Sequence, residues 1–368
     1  MYIHQHKDWP NFKWDNDILV PYVSRVRDLQ GRLIGRMESL GFELREEAVL
    51  ETLTEDVVES SAIEGEFLNP DEVRSSIARR LGIDISGLPE ASRDVEGVVE
   101  MMLDATQKHE TSLSKDRLFG WHSALFPSGR GGLYKITVGD WRTDEQGPMR
   151  IVSGPMGREK VHYTAPDSNQ LNFEMERFID WFNTDLSMEP VLKSAIAHLW
   201  FVSIHPFDDG NGRIARAIAD SQLARADRTN QRFYSMSAQI MKSKKEYYTI
   251  LESTQKGGLD VSQWLVWYLE RLIEAIAITE ETLSKVLAKA RFWEIHRTTQ
   301  LNERQIKMIN MLLGDFGGKL HSSKWAKITK VHRDTALRDI QDLIDKGILS
   351  DSGEGGRSTN YVLIAPSS

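Results

Sequence analysis

Apolar residues recur three and four positions apart over most of this 368-residue chain, and no other feature of the sequence constrains its fold as strongly. This spacing places apolar side chains on one face of an α-helix, where they can pack against a neighbouring element. Several of these runs begin at a Ser, Asp or Asn, the residues that favour a helix N-cap. The pattern predicts helices over 18–40, 46–64, 70–80, 90–109, 114–126, 168–185, 189–204, 211–226, 242–254 and 260–300. The chain is therefore expected to be mainly α.

Strand-like sequence is scarce before about residue 300. The exception is 148–164, PMRIVSGPMGREKVHYT, where two short β-prone runs flank SGPMG and predict a β-hairpin. After about residue 300, a short helix, a turn and a longer helix from about Arg333 to Lys346 precede GILSDS, the glycine-rich turn GEGGRS and the strand TNYVLI. This order predicts a winged helix-turn-helix domain over 301–368, preceded by a connecting helix over 259–300.

The composition is that of an ordinary soluble globular protein, with 40% hydrophobic and 27% charged residues. The sequence has no cysteine, which excludes disulfides, thiolate metal sites and cysteine nucleophiles. A formal net charge of −8 argues against wholesale coating of nucleic acid, while one local basic face remains compatible with it. Because the sequence shows neither a signal-peptide core nor a membrane-spanning apolar run, we expect a cytoplasmic protein with no membrane contact.

The densest chemical signal is HPFDDGNGRIARA, residues 205–217, between a strongly apolar helix and an amphipathic one. The glycines of DDGNG leave backbone N–H groups free at a helix N-terminus, where the helix dipole also favours an anion such as phosphate. Arg213 and Arg216 are three positions apart, so they share a helix face and can reach further phosphate oxygens. Beside a polyphosphate, Asp209 is suited to hold magnesium, and His205 can accept a proton near neutral pH.

Each part of this string also has a simpler explanation. A histidine after an apolar helix is more often a hydrogen-bonded core residue, GNG alone is a turn, and two arginines on one helix face are usually solvated. Asp208 and Asp209 form a common charge pair for a helix N-terminus. The histidine, the acids, the glycine turn and the arginines all occur in one short string, however. This favours a site that binds nucleotide phosphates and a metal ion and that contains a general base. The string lacks a Walker lysine pattern, which disfavours P-loop hydrolysis.

The same string matches H-x-F-x-[DE]-G-N-G-R-x-x-R, the signature of the Fic family, at every specified position, so the chain resembles a Fic protein. The resemblance extends loosely over about 110–255, which is similar to a Fic core, and to HKDWPNFKWD, which is similar to the start of the helical domain that often precedes it. It implies an N-terminal helical domain over 1–105 and a Fic-type helical core with a small β-hairpin flap over 106–258.

Fic proteins typically transfer AMP from ATP to a protein hydroxyl, so the resemblance implies an adenylyltransferase that uses ATP and magnesium. His205 would deprotonate a Tyr, Ser or Thr hydroxyl, and Asp209 would hold magnesium between the α- and β-phosphates. The backbone N–H groups of Gly210, Asn211 and Gly212 would bind phosphate oxygens as an anion nest. Arg213 would contact the β-phosphate and Arg216 the γ-phosphate, and Phe207 would anchor the loop in the core.

The resemblance also implies how target and nucleotide would bind. The target protein would dock by strand pairing on the hairpin of 148–164, which would act as a flap. Tyr247 and Tyr248 are candidates for the adenine pocket, although an aromatic pair on a helix is more often part of a core.

The segment SSAIEGE, residues 60–66, raises a separate question. Gly65 fits the position after a helix, which puts Glu64 in the last turn, where the helix dipole disfavours a carboxylate by up to about 1 kcal/mol. Many Fic proteins carry an inhibitory helix with the pattern [ST]-x-x-x-E-[GN], and Ser60, Glu64 and Gly65 fit it. The resemblance then implies that Glu64 pairs with Arg216 and fills the space of the ATP γ-phosphate. The alternative is a solvated glutamate.

Two functions remain open at this point. The favoured one is an autoinhibited adenylyltransferase that modifies a target protein and its own chain, since the base, the metal ligand and both arginines are intact. The other is a nucleotide-binding regulator without transferase activity, whose winged helix contacts DNA. Four basic side chains there favour contact with DNA phosphates, namely Lys327, Lys330, Arg333 and Arg338, with Thr335 near a groove. Four acids on the same helix oppose this contact, namely Asp334, Asp339, Asp342 and Asp345. A protein contact through this domain and a homodimer are also compatible with the sequence, which carries no readable signal for the target.

Overall fold

The computed structural model describes residues 1–39, 42–83, 89–132, 134–145, 147–155, 157–184, 187–313, 316, 319–351 and 360–364. Within these ranges, the side chains of 42–44, 281–282 and 284–290 are not described. Two parts of the predicted hairpins, Met156 and the glycine-rich turn at 353–358, therefore lie outside the described residues.

The predicted mainly helical fold is confirmed, and the chain divides into two compact units, Met1–Thr279 and Glu280–Ser368. The helices of the first unit are α1 (Asn16–Glu38), α2 (Phe42–Ile63), α3 (Pro70–Leu81), α4 (Arg93–Gln107), α5 (Lys115–Leu125), α6 (Leu171–Thr184), α7 (Pro190–Ile204), α8 (Asn211–Asp227), α9 (Met236–Lys242) and α10 (Lys244–Gln255). Helix α11 (Ser262–Ile295) begins in the first unit and ends in the second. Among the described helices, none combines the length and the apolar character that crossing a membrane requires.

Two small antiparallel hairpins complete the first unit. The hairpin predicted within 148–164 is present as β3 (Arg150–Ser153) and β4 (Lys160–Thr164), with a register shift between Ile151 and Val152. The second hairpin, β1 (Arg130–Gly131) with β2 (Tyr134–Lys135), and helix α9 were missed by the sequence analysis. Elements this short contain too few residues for a periodic pattern.

Helix α7 forms the centre of the first unit. All of its residues from Val191 to Ile204 are buried, as expected for a helix that is apolar on every side. Its start is fixed by Pro190 in the first turn and by Glu189, whose carboxylate accepts the backbone N–H groups of Val191 and Leu192. Helix α8 packs against α7, and α4 and α2 in turn contact α8. The signature string therefore connects the two most buried helices of the unit.

The second unit has its own core. Helices α12 (Glu303–Leu312), α13 (Ser322–Thr329) and α14 (Arg333–Asp345) are followed by the antiparallel strands β5 (Leu349–Asp351) and β6 (Tyr361–Leu363). Buried apolar side chains from all three helices meet there, including Met308, Trp325 and Ile340. The α13–α14–β5–β6 order follows the sequence prediction, whereas α12 was not predicted. A DNA-binding role for this unit stays a prediction.

A close approach of α4 to α5 depends on Gly97. A methyl group on Gly97 would lie 1.8 Å from the backbone oxygen of Ala124, so Gly97→Ala should force the two helices apart and lower the free energy of unfolding by about 2 kcal/mol or more. Gly120→Ala on α5 is the matched control, because that position has open space around it and Ala favours a helix by about 1 kcal/mol over Gly. Urea unfolding followed by circular dichroism measures both, and equal stabilities for the two variants would contradict this packing.

Candidate active site

His205 terminates α7 in an unusual backbone conformation. Its φ of 52° and ψ of 58° are left-handed, and its backbone N–H donates to Phe201 O at 3.0 Å. The side-chain Nδ1 lies 3.2 Å from Val202 O, an acceptor only, so Nδ1 must be the donor. This tautomer leaves Nε2 as a free acceptor. Burial lowers the pKa of His205 to about 4, so the imidazole is neutral at neutral pH and able to take a proton.

A fully buried arginine holds this backbone in place. Arg142 Nε donates to His205 O at 2.8 Å, and the backbone N–H of Arg142 donates to Pro206 O at 2.9 Å. Its guanidinium also bonds Asp144 at 2.8 Å and the carbonyl of Pro166. The sequence analysis missed Arg142 because it is 63 positions from His205 and belongs to no local pattern.

The loop between α7 and α8 is braced from within. The Asn211 side chain accepts the Phe207 N–H at 3.0 Å and donates to the Phe207 carbonyl at 2.8 Å. The Phe207 ring is fully buried and stacks on His122 at 4.1 Å. The Asn211 side chain is therefore used to stabilise the loop. Any contact of Asn211 with an anion has to come from its backbone N–H.

Gly210 and Asp209 form the start of α8. Gly210 is left-handed (φ 80°), and a Cβ there would meet the Phe126 ring at 2.8 Å, so glycine is required. Asp209 is exposed, and its Oδ1 accepts the Gly210 N–H at 2.6 Å. Among the described residues, no three His, Asp or Glu side chains are grouped to share a metal ion. Asp209 alone fits the way Mg²⁺ binds beside a nucleotide, through one carboxylate, phosphates and water.

Arg216 is buried and paired with the end of α2. Its side chain is 2% exposed, and Nε and Nη2 donate to Ser60 Oγ and Ser60 O at 2.9 and 2.8 Å. Its Nη1 lies 2.8 Å from Glu64 Oε1. Glu64 and Arg216 thus form a close ion pair. Burial is the largest influence and opposes the charged form, but Glu64, Tyr247 and Tyr248 together raise the pKa of Arg216.

The Glu64 carboxylate lies directly against the glycine turn. A Cβ on Gly212 would be only 2.1 Å from Glu64 Oε1, so the carboxylate fills the space beside the start of α8. Gly65 is left-handed (φ 85°), as the sequence predicts for a residue after a helix. On α10, the Tyr248 hydroxyl lies 3.2 Å from Ile63 O and 3.4 Å from Glu64 Oε2. Tyr248 thus helps to position Glu64, a contact that the sequence analysis missed.

A second glutamate contact was also missed. Glu66 forms an ion pair with Arg213, whose side chain is 3% exposed. Both arginines of the signature string are therefore matched by a carboxylate from the segment that follows α2.

A cavity of about 670 Å³ opens beside these residues, within the range of small-molecule sites. His205, Gly212, Glu64 and Tyr248 line it together with β3 and β4. Tyr247 also borders the cavity, but it is 1% exposed and its hydroxyl bonds His198 Nε2 at 2.9 Å. Tyr248, at 41% exposed, is the more accessible of the two.

The β3–β4 hairpin is tied to α10 across this cavity. His162 Nδ1 lies 2.7 Å from Glu252 Oε2, and His162 Nε2 lies 2.5 Å from Ser153 Oγ. Hydrogen bonds from Lys256 and His162 lower the pKa of Glu252 to about 2, so Glu252 is an acceptor and His162 Nδ1 a donor. This chain of contacts fixes the hairpin at the rim of the cavity.

Two family models match the chain. Residues 2–83 match DUF4172, a domain of unknown function, and residues 112–223 match the Fic/DOC family. The second match contains the whole signature string, all of α7 and most of α8.

Curated relatives match over part of their length. The protein adenylyltransferase Fic of Culex quinquefasciatus is 28% identical over 180 residues, which cover 48% of this chain and 33% of that protein. The protein of the same name from Drosophila willistoni is 32% identical over 114 residues, which cover 30% of this chain and 22% of that protein. The chain thus spans about a third or less of the length of these two relatives.

Solved structures share the fold. A Fic family protein from Desulfovibrio desulfuricans G20 has a TM-score of 0.52 at 20% identity, over 95% of this chain and 97% of that one. A Fic domain containing signaling protein from Bacteroides thetaiotaomicron has a TM-score of 0.54 at 20% identity, over 71% of this chain and 97% of that one. At this identity, the likeness is one of fold.

The lowered pKa of His205 gives a direct test of its environment. The ring of the folded protein should titrate near pH 4, whereas an unfolded histidine titrates near 6.5. The unfolded state therefore binds the proton first, and stability due to His205 is lost as the pH falls from about 6.5 to about 4. Carbon-13 NMR of labelled histidines measures the midpoint, with His205→Ala to assign the signal. A midpoint near 6.5 would contradict burial of this ring.

Proposed function

We propose, on the premise that residues 112–223 belong to the Fic/DOC family, that this protein is an adenylyltransferase. It would transfer AMP from ATP to a Tyr, Ser or Thr hydroxyl of a target protein and of its own chain. The observation that carries the proposal is a neutral His205 at the wall of one nucleotide-sized cavity, with two buried arginines, Arg213 and Arg216, on the helix whose Gly212 lines that cavity. The names of the curated relatives support the same activity.

The proposed reaction needs one proton transfer and one displacement at phosphorus. The target hydroxyl loses its proton to His205 Nε2 while its oxygen forms a bond to the α-phosphorus. The bond from that phosphorus to the bridging oxygen breaks, and pyrophosphate leaves. Arg142 is a positioning residue here, because it holds the His205 backbone without reaching the cavity lining. A general base of this kind contributes about 10²- to 10⁴-fold to the rate.

Charge neutralisation supplies the rest of the proposed catalysis. Arg213 and Arg216 would contact the β- and γ-phosphates, and the backbone N–H groups of Asn211 and Gly212 would face the phosphate oxygens, joined by that of Gly210 once it leaves Asp209 Oδ1. Asp209 would hold magnesium, which when bound supplies positive charge against the α- and β-phosphates. Phosphoryl-type transfer depends mainly on such positioning and charge stabilisation.

We further propose that the resting site is autoinhibited by Glu64. Its carboxylate lies 2.8 Å from the arginine assigned to the γ-phosphate, with Ser60 and Gly65 fixing the end of α2 around it. A carboxylate and a phosphate cannot share this position, because both need Arg216 and both are negative. ATP must therefore displace Glu64 before the reaction can begin.

Target docking on the β3–β4 flap, and DNA or protein contact through residues 301–368, remain proposals from the sequence. Two acids that weighed against DNA have cationic partners inside the second unit, because Asp339 accepts from Arg304 at 2.8 Å and Asp342 from Lys346 at 2.5 Å. This leaves the solvent face of α14 less acidic than its sequence suggests.

His205→Ala tests the proposed reaction. With ATP and magnesium, mass spectrometry of the wild type should find AMP on a Tyr, Ser or Thr, and the variant should lose about 10²-fold or more of that signal because the proton acceptor is gone. His332→Ala is the matched control, since that histidine is exposed in the second unit. Unchanged AMP addition in His205→Ala would refute the mechanism.

Glu64→Gly tests the proposed inhibition. Removing the carboxylate frees Arg216 for ATP, so automodification should rise by about fivefold or more, the effect of a coupling of at least about 1 kcal/mol. Glu110→Gly is the control, because Glu110 is likewise an exposed glutamate in a turn after a helix. The same labelling rate in the wild type and in both variants would rule out an inhibitory role for Glu64.

A further inference from the structure

The turn after α2 presents two carboxylates, two positions apart, to α8. Glu64 lies against Arg216, and Glu66 forms its ion pair with Arg213. The proposed inhibition by Glu64 does not account for the second pair. The Glu66 side chain is 46% exposed, so this carboxylate can leave its partner without disturbing a core.

Arg213 is built as a receptor for an anion. Its side chain is 3% exposed and its guanidinium lies over the Phe126 ring at 5.1 Å, which holds the plane in one orientation. Its Nε is buried and has no hydrogen-bond partner among the described residues. A buried cation with a spare donor favours a ligand that carries more negative charge and more acceptors than one half-exposed carboxylate.

The backbone of the turn sets both contacts at once. The N–H groups of Glu64 and Glu66 both donate to Ser61 O at 3.0 Å, and Gly65 between them is left-handed. This places the two carboxylates side by side, while Arg213 and Arg216 are one helical turn apart on α8. The pairing of two acids with two arginines therefore follows from the turn and the helix together.

The charges around Glu66 favour its displacement from Arg213. Burial raises the pKa of Glu66, and Asp209 and Glu64 raise it further, while Arg213 alone among its main neighbours lowers it. Glu66 is thus held by one cation against three nearby carboxylates, those of Asp209, Glu64 and Asp94.

We infer that Glu66 is a specificity-determining residue, which occupies the β-phosphate position at Arg213 and makes the resting site exclude nucleoside diphosphates as well as triphosphates. The inference rests on the proposed function for the assignment of Arg213 to the β-phosphate and Arg216 to the γ-phosphate. A triphosphate must displace both glutamates, whereas a diphosphate must displace only Glu66. Removal of Glu66 should therefore change the affinity for both ADP and ATP, whereas removal of Glu64 should change the affinity for ATP alone.

Isothermal titration calorimetry with ADP and with ATP, both with magnesium, separates the two roles. All proteins carry His205→Ala, so that ATP is not consumed. Glu66→Gln should tighten both ADP and ATP by about fivefold, whereas Glu64→Gln should tighten ATP and leave ADP unchanged within about twofold. Glu51→Gln, at an exposed position of α2, is the control and should change neither affinity.

An unchanged ADP affinity in Glu66→Gln would overturn the inference, as would an equal effect of Glu64→Gln on ADP. AMP transfer is measured separately in proteins that keep His205. If no variant transfers AMP but Glu66→Gln alone tightens ADP, Glu66 is established as a competitor of phosphate and the proposed activity fails. If AMP is transferred but Glu66→Gln does not tighten ADP, the proposed activity stands and the role of Glu66 is refuted.

Discussion

The contact between Glu64 and Arg216 is the interaction on which the rest of the site depends. Arg216 is almost fully buried, and a buried cation without an anion is typically destabilising by several kcal/mol. Ser60 supplies two neutral acceptors but no charge. An anion at this position therefore stabilises the fold. In the resting protein that anion is the carboxylate of α2, and in the proposed working state it is a phosphate. The proposed inhibition and the proposed ATP binding thus both depend on the need of Arg216 for an anion, so the end of α2 is placed to compete with ATP.

The remaining geometry follows from how α7 ends. Because α7 is buried on every side, its last residue must turn sharply to bring the chain out, and His205 adopts a left-handed conformation to do so. Arg142 stabilises that turn from the loop before β3, and the Asn211 side chain closes the loop on the α8 side. The base and the anion-binding turn are therefore fixed by buried contacts, while the hairpin at the rim is held by the more exposed pair of His162 and Glu252. The proposed target protein would therefore meet a hairpin that lies above a site held by buried contacts.

Local sequence patterns predicted much of this structure. Long amphipathic or apolar helices such as α7 and α8 were predicted within one or two residues, because their periodicity extends over several turns. The residues at the start of α8 were found because all of them lie in one short string. Arg142, Tyr248 and the Glu66–Arg213 pair were not found, because each depends on a contact between distant parts of the chain. The only local signal for Glu66 was its place two residues after Glu64, which has no meaning until α8 is known to lie opposite.

The central claim is that Glu64 and ATP compete for Arg216, and a double-mutant cycle on ATP affinity tests it most directly. The cycle compares Glu64→Gln in the natural background with the same change in an Arg216→Met background, using His205→Ala throughout to prevent turnover. The account predicts that losing Glu64 tightens ATP about fivefold when Arg216 is present and has no effect when it is absent. The same gain in both backgrounds would show that Glu64 acts on ATP without Arg216, and would contradict the account.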